Sequence, residues 1–166
     1  MTVRAARVEE ARGIADVHVR TWQAAYRHAF PAEVLDALSV DEREAGWRER
    51  LDAGMRVWVA AESAAIVGFA AAGASRTEED AAELYAIYVL PEHWGTGVAH
   101  DLMTAVLGWF RAEQYTTAML WVLADNPRAR RFYEAAGWRP DGARKAEPRW
   151  DVSAPEVRYR RRLKGA

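Results

Sequence analysis

A chain of 166 residues with a formal net charge of −1 has no global electrostatic pull toward nucleic acid or an acidic membrane surface. Hydrophobic residues make up 51% and charged residues 28%, the profile of a globular chain long enough to bury a core. The absence of cysteine excludes disulfides, thiolate metal ligands and a cysteine nucleophile, and no apolar run approaches the roughly 20 residues that span a bilayer.

Thr2–Arg7 alternates weakly, as a first strand would. From Val8 to Phe30 the set Ile14, Val17, Thr21/Trp22 and Ala25 keeps helical spacing until Pro31 interrupts it, and Ala32–Leu38 reads as a short second helix. Ser39 and Glu42 form the two ends of a capping box, opening a helix that carries Trp47 and Leu51 and ends near Gly54. The period then changes. Val57–Glu62 and Ala65–Ala74 read as an antiparallel hairpin, and Ser75–Asp80 as a polar loop. Glu83–Leu90 is β-branched and aromatic and stops at Pro91, as a central strand would. Val98–Ala112 has Leu102, Val106, Trp109 and Phe110 at helical spacing, and Thr117–Leu123 is the next strand. Asn126-Pro127 starts a helix that Gly137 stops; Trp138 onward and Pro155–Leu163 read as closing strands. Two strands joined through a helix are parallel neighbours with a right-handed crossover. The expected architecture is α/β, a mixed sheet of six or seven strands with helices on both faces. One domain over residues 1–166 is expected from the length, and the cytoplasm from the lack of an apolar leader after Met1.

The string from Leu90 to Ala99 (LPEHWGTGVA) lies between a strand and a helix, where an anion site needs to be. Amides in a tight turn point inward, and the following helix offers unpaired N–H groups and the positive end of its dipole. Gly95 and Gly97 let the backbone close on a ligand, and Ala99 adds little bulk. A plain connecting turn with two glycines is the alternative. A P-loop would need Gly-Lys-Ser/Thr where Val98-Ala99-His100 stands, and a dinucleotide-binding turn would need a small residue where His100 stands.

The segment resembles the cofactor turn of GNAT acetyltransferases, Gln/Arg-x-x-Gly-x-Gly/Ala, with Trp94, Gly97 and Ala99 at the first, fourth and sixth positions. Trp94 departs from Gln/Arg. Downstream, Asn126-Pro-Arg-Ala129-Arg-Arg-Phe132-Tyr133 and Gly137-Trp138 are similar to the family's Asn-x-x-Ala-x-x-Phe-Tyr-x-x-x-Gly-Phe segment. The resemblance implies acetyl-CoA as acetyl donor, with its diphosphate on the backbone of Trp94, Gly95, Thr96, Gly97, Val98 and Ala99. It implies that the central parallel strands splay apart, so that Ile87, Tyr88 and Val89 offer peptide groups to the pantetheine arm as to an added strand. It further implies that Tyr133 protonates the departing thiolate and that the Asn126 amide bonds the arm.

The residues themselves allow a plainer reading of each. Tyr133 shares a helix face with Ala129, Phe132 and Ala136 and also suits a core, and Asn126 is explained as an N-cap. Glu83, opening the central strand, is the candidate general base, or else a solvated strand-end charge. Trp22, Tyr26, Trp47, Tyr85 and Trp150 suit either an acceptor pocket or the core. His18, His28, His93 and His100 lack metal-ligand spacing and read as surface or packing residues, so no metal is expected. Arg158–Arg162 reads as a solvated sheet edge. The expected reaction is direct acetyl transfer to a primary amine of a small molecule or peptide. No nucleic-acid or membrane partner is expected, and the resemblance implies a homodimer. The rival class is a module that binds acyl-CoA as a sensor without catalysis, in which Tyr133 has no acid role.

Overall fold

The computed structural model describes residues 1–146, 148–150 and 152–163. Its elements are β1 (Thr2–Ala5), a 3-10 turn (Val8–Glu10), α1 (Ala11–Ala25), α2 (Ala32–Asp36), α3 (Val40–Asp52), β2 (Arg56–Glu62), β3 (Ala65–Ala74) and β4 (Ala82–Val89). A second 3-10 turn (Pro91–His93), α4 (Val98–Ala112), β5 (Thr117–Leu123), α5 (Pro127–Ala135) and β6 (Arg139–Lys145) follow, with a small β7 (Pro148–Arg149) and β8 (Val152–Ser153) hairpin before β9 (Glu156–Arg162). Seven strands form one mixed sheet in the order β1-β2-β3-β4-β5-β9-β6, and only β4 and β5 run parallel. The mixed α/β architecture and its central parallel pair are as the sequence implies.

Several boundaries differ. The helix expected through Phe30 ends at Ala25, because Tyr26 and Phe30 fold back on Trp22 and seal a second apolar cluster with Leu35 and Ala154. At α3 half of the expected capping box forms: Ser39 Oγ accepts from the Glu42 amide at 3.1 Å, and no return bond from Glu42 is present among the described residues. Arg158–Arg162 is not an edge. β9 is inserted between β5 and β6, where Arg158 and Arg160 pair with Asp141, Arg160 reaches Glu78, and Tyr159 is fully buried.

Helices cover both faces. On β3, Phe69 meets His18 of α1 and Trp47 of α3, while its neighbour Gly68 faces Leu102 of α4. Pairing of β3 with β4 skips Tyr85: Ala71 faces Ala86, and Ala72 faces Leu84. This one-residue bulge resets the alternation of side chains. Phe69, Ala71 and Gly73 share a face, so their partners Tyr88, Ala86 and Glu83 share it too. Without the bulge, Glu83 and Tyr88 would lie on opposite sides of the sheet.

His18 sits in an aromatic cage of Trp22, Trp47, Phe69 and Tyr88 and accepts a hydrogen bond from Trp47 Nε1 at 3.1 Å. Burial, with the fields of Arg43, Arg50 and Arg149, lowers its pKa from 6.5 to about 3. The folded chain therefore binds fewer protons than the unfolded chain between those values, and stability falls as pH drops through that window. The Arg4–Glu10 pair, which holds Glu10 at about 2, begins to lose its contribution only below the ordinary carboxylate pKa of 4.5. Between pH 6.5 and 4.5, chemical denaturation should thus show stability falling by at most about 1.4 kcal/mol per pH unit. His18→Gln, which keeps an acceptor for Trp47, should flatten that slope; an unchanged slope would remove His18 as its source.

Candidate active site

Pairing of β4 with β5 is brief. Ala82, Glu83 and Leu84 face Ala118, Met119 and Leu120, and no later residues of the two strands are paired. Beyond Leu84 and Leu120 the strands part, leaving the β5-facing edge of Tyr85–Val89 without a sheet partner. A cavity of about 940 Å³ occupies the opening and runs from the turn after β4 to the α1 side of the sheet. Ile87, Tyr88 and Val89 line it, as do Asn126 and Tyr133 from α5 and Glu83 and Trp121 on the far side.

At one end lies the Trp94–Ala99 turn. Gly95 and Gly97 have φ of +75° and +92°, left-handed conformations that carry a steric cost for any residue with a Cβ. A Cβ at either position would meet nothing within 4 Å, so the constraint is the backbone's own conformation and not crowding. The backbone amides from Gly95 to His100 enter no backbone hydrogen bond outside α4, and the first N–H groups of a helix have no intrahelical acceptor. Uncommitted donors at the positive end of a 15-residue helix fit a diphosphate. Gly95, Gly97 and Ala99 line the cavity. Val98 and Thr96 do not: Val98 is buried in the core, and the Thr96 hydroxyl donates to the His93 carbonyl. Any part those two have in binding rests on their backbone. Trp94 Nε1 donates to the Val89 carbonyl at 2.7 Å, and Thr21 Oγ1 reaches the same oxygen at 3.4 Å. That carbonyl is therefore occupied within the protein and is not free for a ligand arm.

Asn126 caps α5, its Oδ1 accepting from the Ala129 amide at 3.2 Å, and Pro127 stands in the first turn. Tyr133 lies near Trp138 and Tyr159 on the α5 side of the gap. Its hydroxyl has no hydrogen-bond partner among the described residues. Burial, with the nearby Tyr88, pushes its pKa above the usual phenol value, so it stays protonated at neutral pH.

Glu83 is not a solvated strand end. It is 2% exposed and held by Arg76, whose amide and guanidinium donate to its carboxylate at 3.1 and 2.6 Å. Trp22, Tyr26 and Tyr85 line the cavity, and Trp22 and Tyr26 also belong to the second buried cluster, so the core reading holds for those two. Trp47 does not line it, being committed to His18, and Trp150 packs against Trp22 and Phe30 outside it. Tyr26 and Tyr88 both border the cavity, and burial raises the pKa of each. His100 is exposed at the surface and His93 is half-buried beside Glu62, as surface or packing residues would be, and both also border the cavity. Arg76, Arg128 and Arg131 line it too, and sequence periodicity gave no sign of them. Among the described residues no group of three or more His, Cys, Asp or Glu is arranged for a metal ion.

A sheet that opens beside a turn of uncommitted amides, with a phenol poised in the opening, is the architecture of an acyl-CoA-dependent transferase. The profile of the acetyltransferase (GNAT) family matches residues 16–138, and the chain belongs to that family. It is accordingly an acetyl-CoA-dependent acyltransferase. It is 32% identical over 161 residues to the uncharacterized N-acetyltransferase YuaI of Bacillus subtilis (strain 168), covering 95% of this chain and 89% of that protein. The fold superposes on the ribosomal-protein-alanine N-acetyltransferase of Brucella melitensis with a TM-score of 0.78 at 18% identity, covering 98% and 100% of the two chains. YncA of Salmonella typhimurium, a putative acetyltransferase solved with its cofactor acetyl-CoA, superposes with a TM-score of 0.75 at 19% identity, covering 100% and 95%.

Gly97→Ala should cost roughly 1–2 kcal/mol from the left-handed backbone. A thermal melt should show this as a loss of about 2–8 °C in Tm. An unchanged Tm would mean that the turn relaxes out of this conformation.

Proposed function

We propose that this protein transfers an acetyl group from acetyl-CoA directly to a primary amine. The observation that carries the reading is the single cavity joining the Gly95–Ala99 turn, the parted strands, Tyr133 and Glu83. The turn and the start of α4 hold the diphosphate, and the Asn126 side chain and the open edge of β4 hold the pantetheine arm. The donor supplies a thioester whose carbonyl carbon is open to attack by a neutral amine. Backbone N–H groups along the open edge polarise that carbonyl oxygen.

The acceptor enters from the α1 side, where Trp22 and Tyr26 line the same cavity as Tyr85 and Glu83. Two protons leave an ammonium acceptor in the overall reaction. Glu83 receives one, directly or through water, when the Arg76 guanidinium turns aside from it, and passes it to solvent. As the carbon–sulfur bond breaks, Tyr133 gives its phenolic proton to the sulfur and recovers one from the acylated nitrogen. Its burial suits this work, because the same low-polarity surroundings that disfavour phenolate also disfavour a bare thiolate.

Release of free thiol from acetyl-CoA over a panel of primary amines tests the reading. At least one amine should raise release well above hydrolysis without acceptor. Tyr133→Phe should lower kcat for that amine by roughly 10²-fold or more while leaving the affinity for CoA within about twofold. A wild-type rate in that variant would remove Tyr133 as the acid. An enzyme that binds acetyl-CoA but turns over no amine would favour a sensor.

A further inference from the structure

The first position of the family's turn, a Gln or Arg side chain, is filled here by Trp94. The indole is not an idle replacement. Its Nε1 is fixed to the Val89 carbonyl at 2.7 Å, and the Arg128 guanidinium lies over its ring, with Cζ 3.3 Å from the centroid. At that distance the contact is a full cation–π stack, which fixes the direction of an otherwise mobile side chain.

Arg128 is exposed to solvent, and its setting is mildly unfavourable for a cation without an anion nearby. It stands in the first turn of α5, where the helix dipole disfavours a cation, and that turn contains no acidic residue. Arg131, one turn on, repels it, and this repulsion adds to partial desolvation in lowering its pKa. Neither arginine has an ion-pair partner among the described residues. The adjacent Arg130 shows the contrast: it is committed to the Tyr159 hydroxyl at 2.9 Å and the Ala124 carbonyl at 3.0 Å. Arg128 and Arg131 both line the cavity that the Gly95–Ala99 turn also lines. Two uncompensated cations thus share a cavity wall with amides that lack acceptors.

We propose that Arg128, seated on the face of Trp94, supplies the cation that grips the diphosphate of coenzyme A, replacing the side chain absent from the turn itself. Trp94 is then a positioning residue, and Arg128 the residue that touches the ligand. The inference rests on the donor-site reading above.

Calorimetry of the whole chain with CoA, 3′-dephospho-CoA and pantetheine tests it, since the second ligand lacks only the 3′-phosphate and the third lacks the diphosphate together with the phosphoadenosine attached to it. Arg128→Ala should weaken CoA and dephospho-CoA alike, by roughly tenfold, as expected for a lost charge-assisted hydrogen bond, and leave pantetheine unchanged. Trp94→Ala should produce a comparable loss, and the double variant should lose little more than either single one. Unchanged affinity in Arg128→Ala overturns the proposal. So does a loss seen with CoA but not with dephospho-CoA, which would assign the arginine to the 3′-phosphate. Additive losses overturn the role of Trp94 as platform; circular dichroism of each variant separates such losses from unfolding. A wild-type chain that binds neither CoA nor dephospho-CoA overturns the donor-site reading itself and this inference with it.

Discussion

The parting of β4 from β5 is the constraint on which the remaining structure depends. A parallel pair in a sheet interior normally keeps its ladder, because each buried peptide group left without a partner costs free energy comparable to a lost hydrogen bond. Here the ladder stops at Leu84 and Leu120, and the groups beyond it face a cavity instead of solid protein. Part of the cost is met internally. Trp94 and Thr21 donate to the Val89 carbonyl, which leads directly into the turn. The remaining open edge is suited to a ligand that bonds like a strand, and the pantetheine arm, with its amides, has that character.

What wedges the strands apart lies in the packing on either side. On one face, His18, Trp22, Tyr26 and Phe30 fill the space over Tyr88 and Leu123. On the other, α5 places Tyr133 against Tyr159 and Trp138. Rings of that size are rigid and do not compress, so closing the gap would force off-rotamer side chains. Insertion of β9 between β5 and β6 holds the second half of the sheet, anchored by the Arg130–Tyr159–Glu134 hydrogen bonds. The bulge at Tyr85 then brings Glu83 to the same face as Tyr88, and both line the one opening.

Charge along the cavity is distributed unequally. Glu83 with Arg76 and Lys145 with Glu156 form compensated pairs along the cavity, at 2.6 and 3.8 Å. The turn end carries Arg128 and Arg131 beside two helix N-termini, with no carboxylate paired to either arginine among the described residues. Field lines in a walled cleft are focused by such an asymmetry, which orients an anionic ligand before contact. In the function proposed above, this asymmetry would direct the phosphate-bearing end of coenzyme A to the turn and the uncharged thioester toward the parted strands.

Local chemistry was legible in the sequence by itself. Helical spacing and terminal signals located α4 and β5 to the residue, and Asn126-Pro127 and Gly137 marked both ends of α5, because caps and breakers act within a few residues of where they stand. The glycine turn and the Asn126–Gly137 segment pointed to the donor for the same reason: backbone conformation and motif spacing are properties of a short stretch. Tertiary structure alone decided that β9 is internal, that Glu83 is buried on Arg76, that His93 and His100 border the cavity, and that Trp94 carries Arg128. The β9 insertion and the Trp94–Arg128 stack join residues far apart in the chain, and even Glu83 and Arg76, seven residues apart, meet only because a loop folds back onto the strand. No spacing rule reaches such pairs, since their contact is set by how layers pack and not by the residues between them.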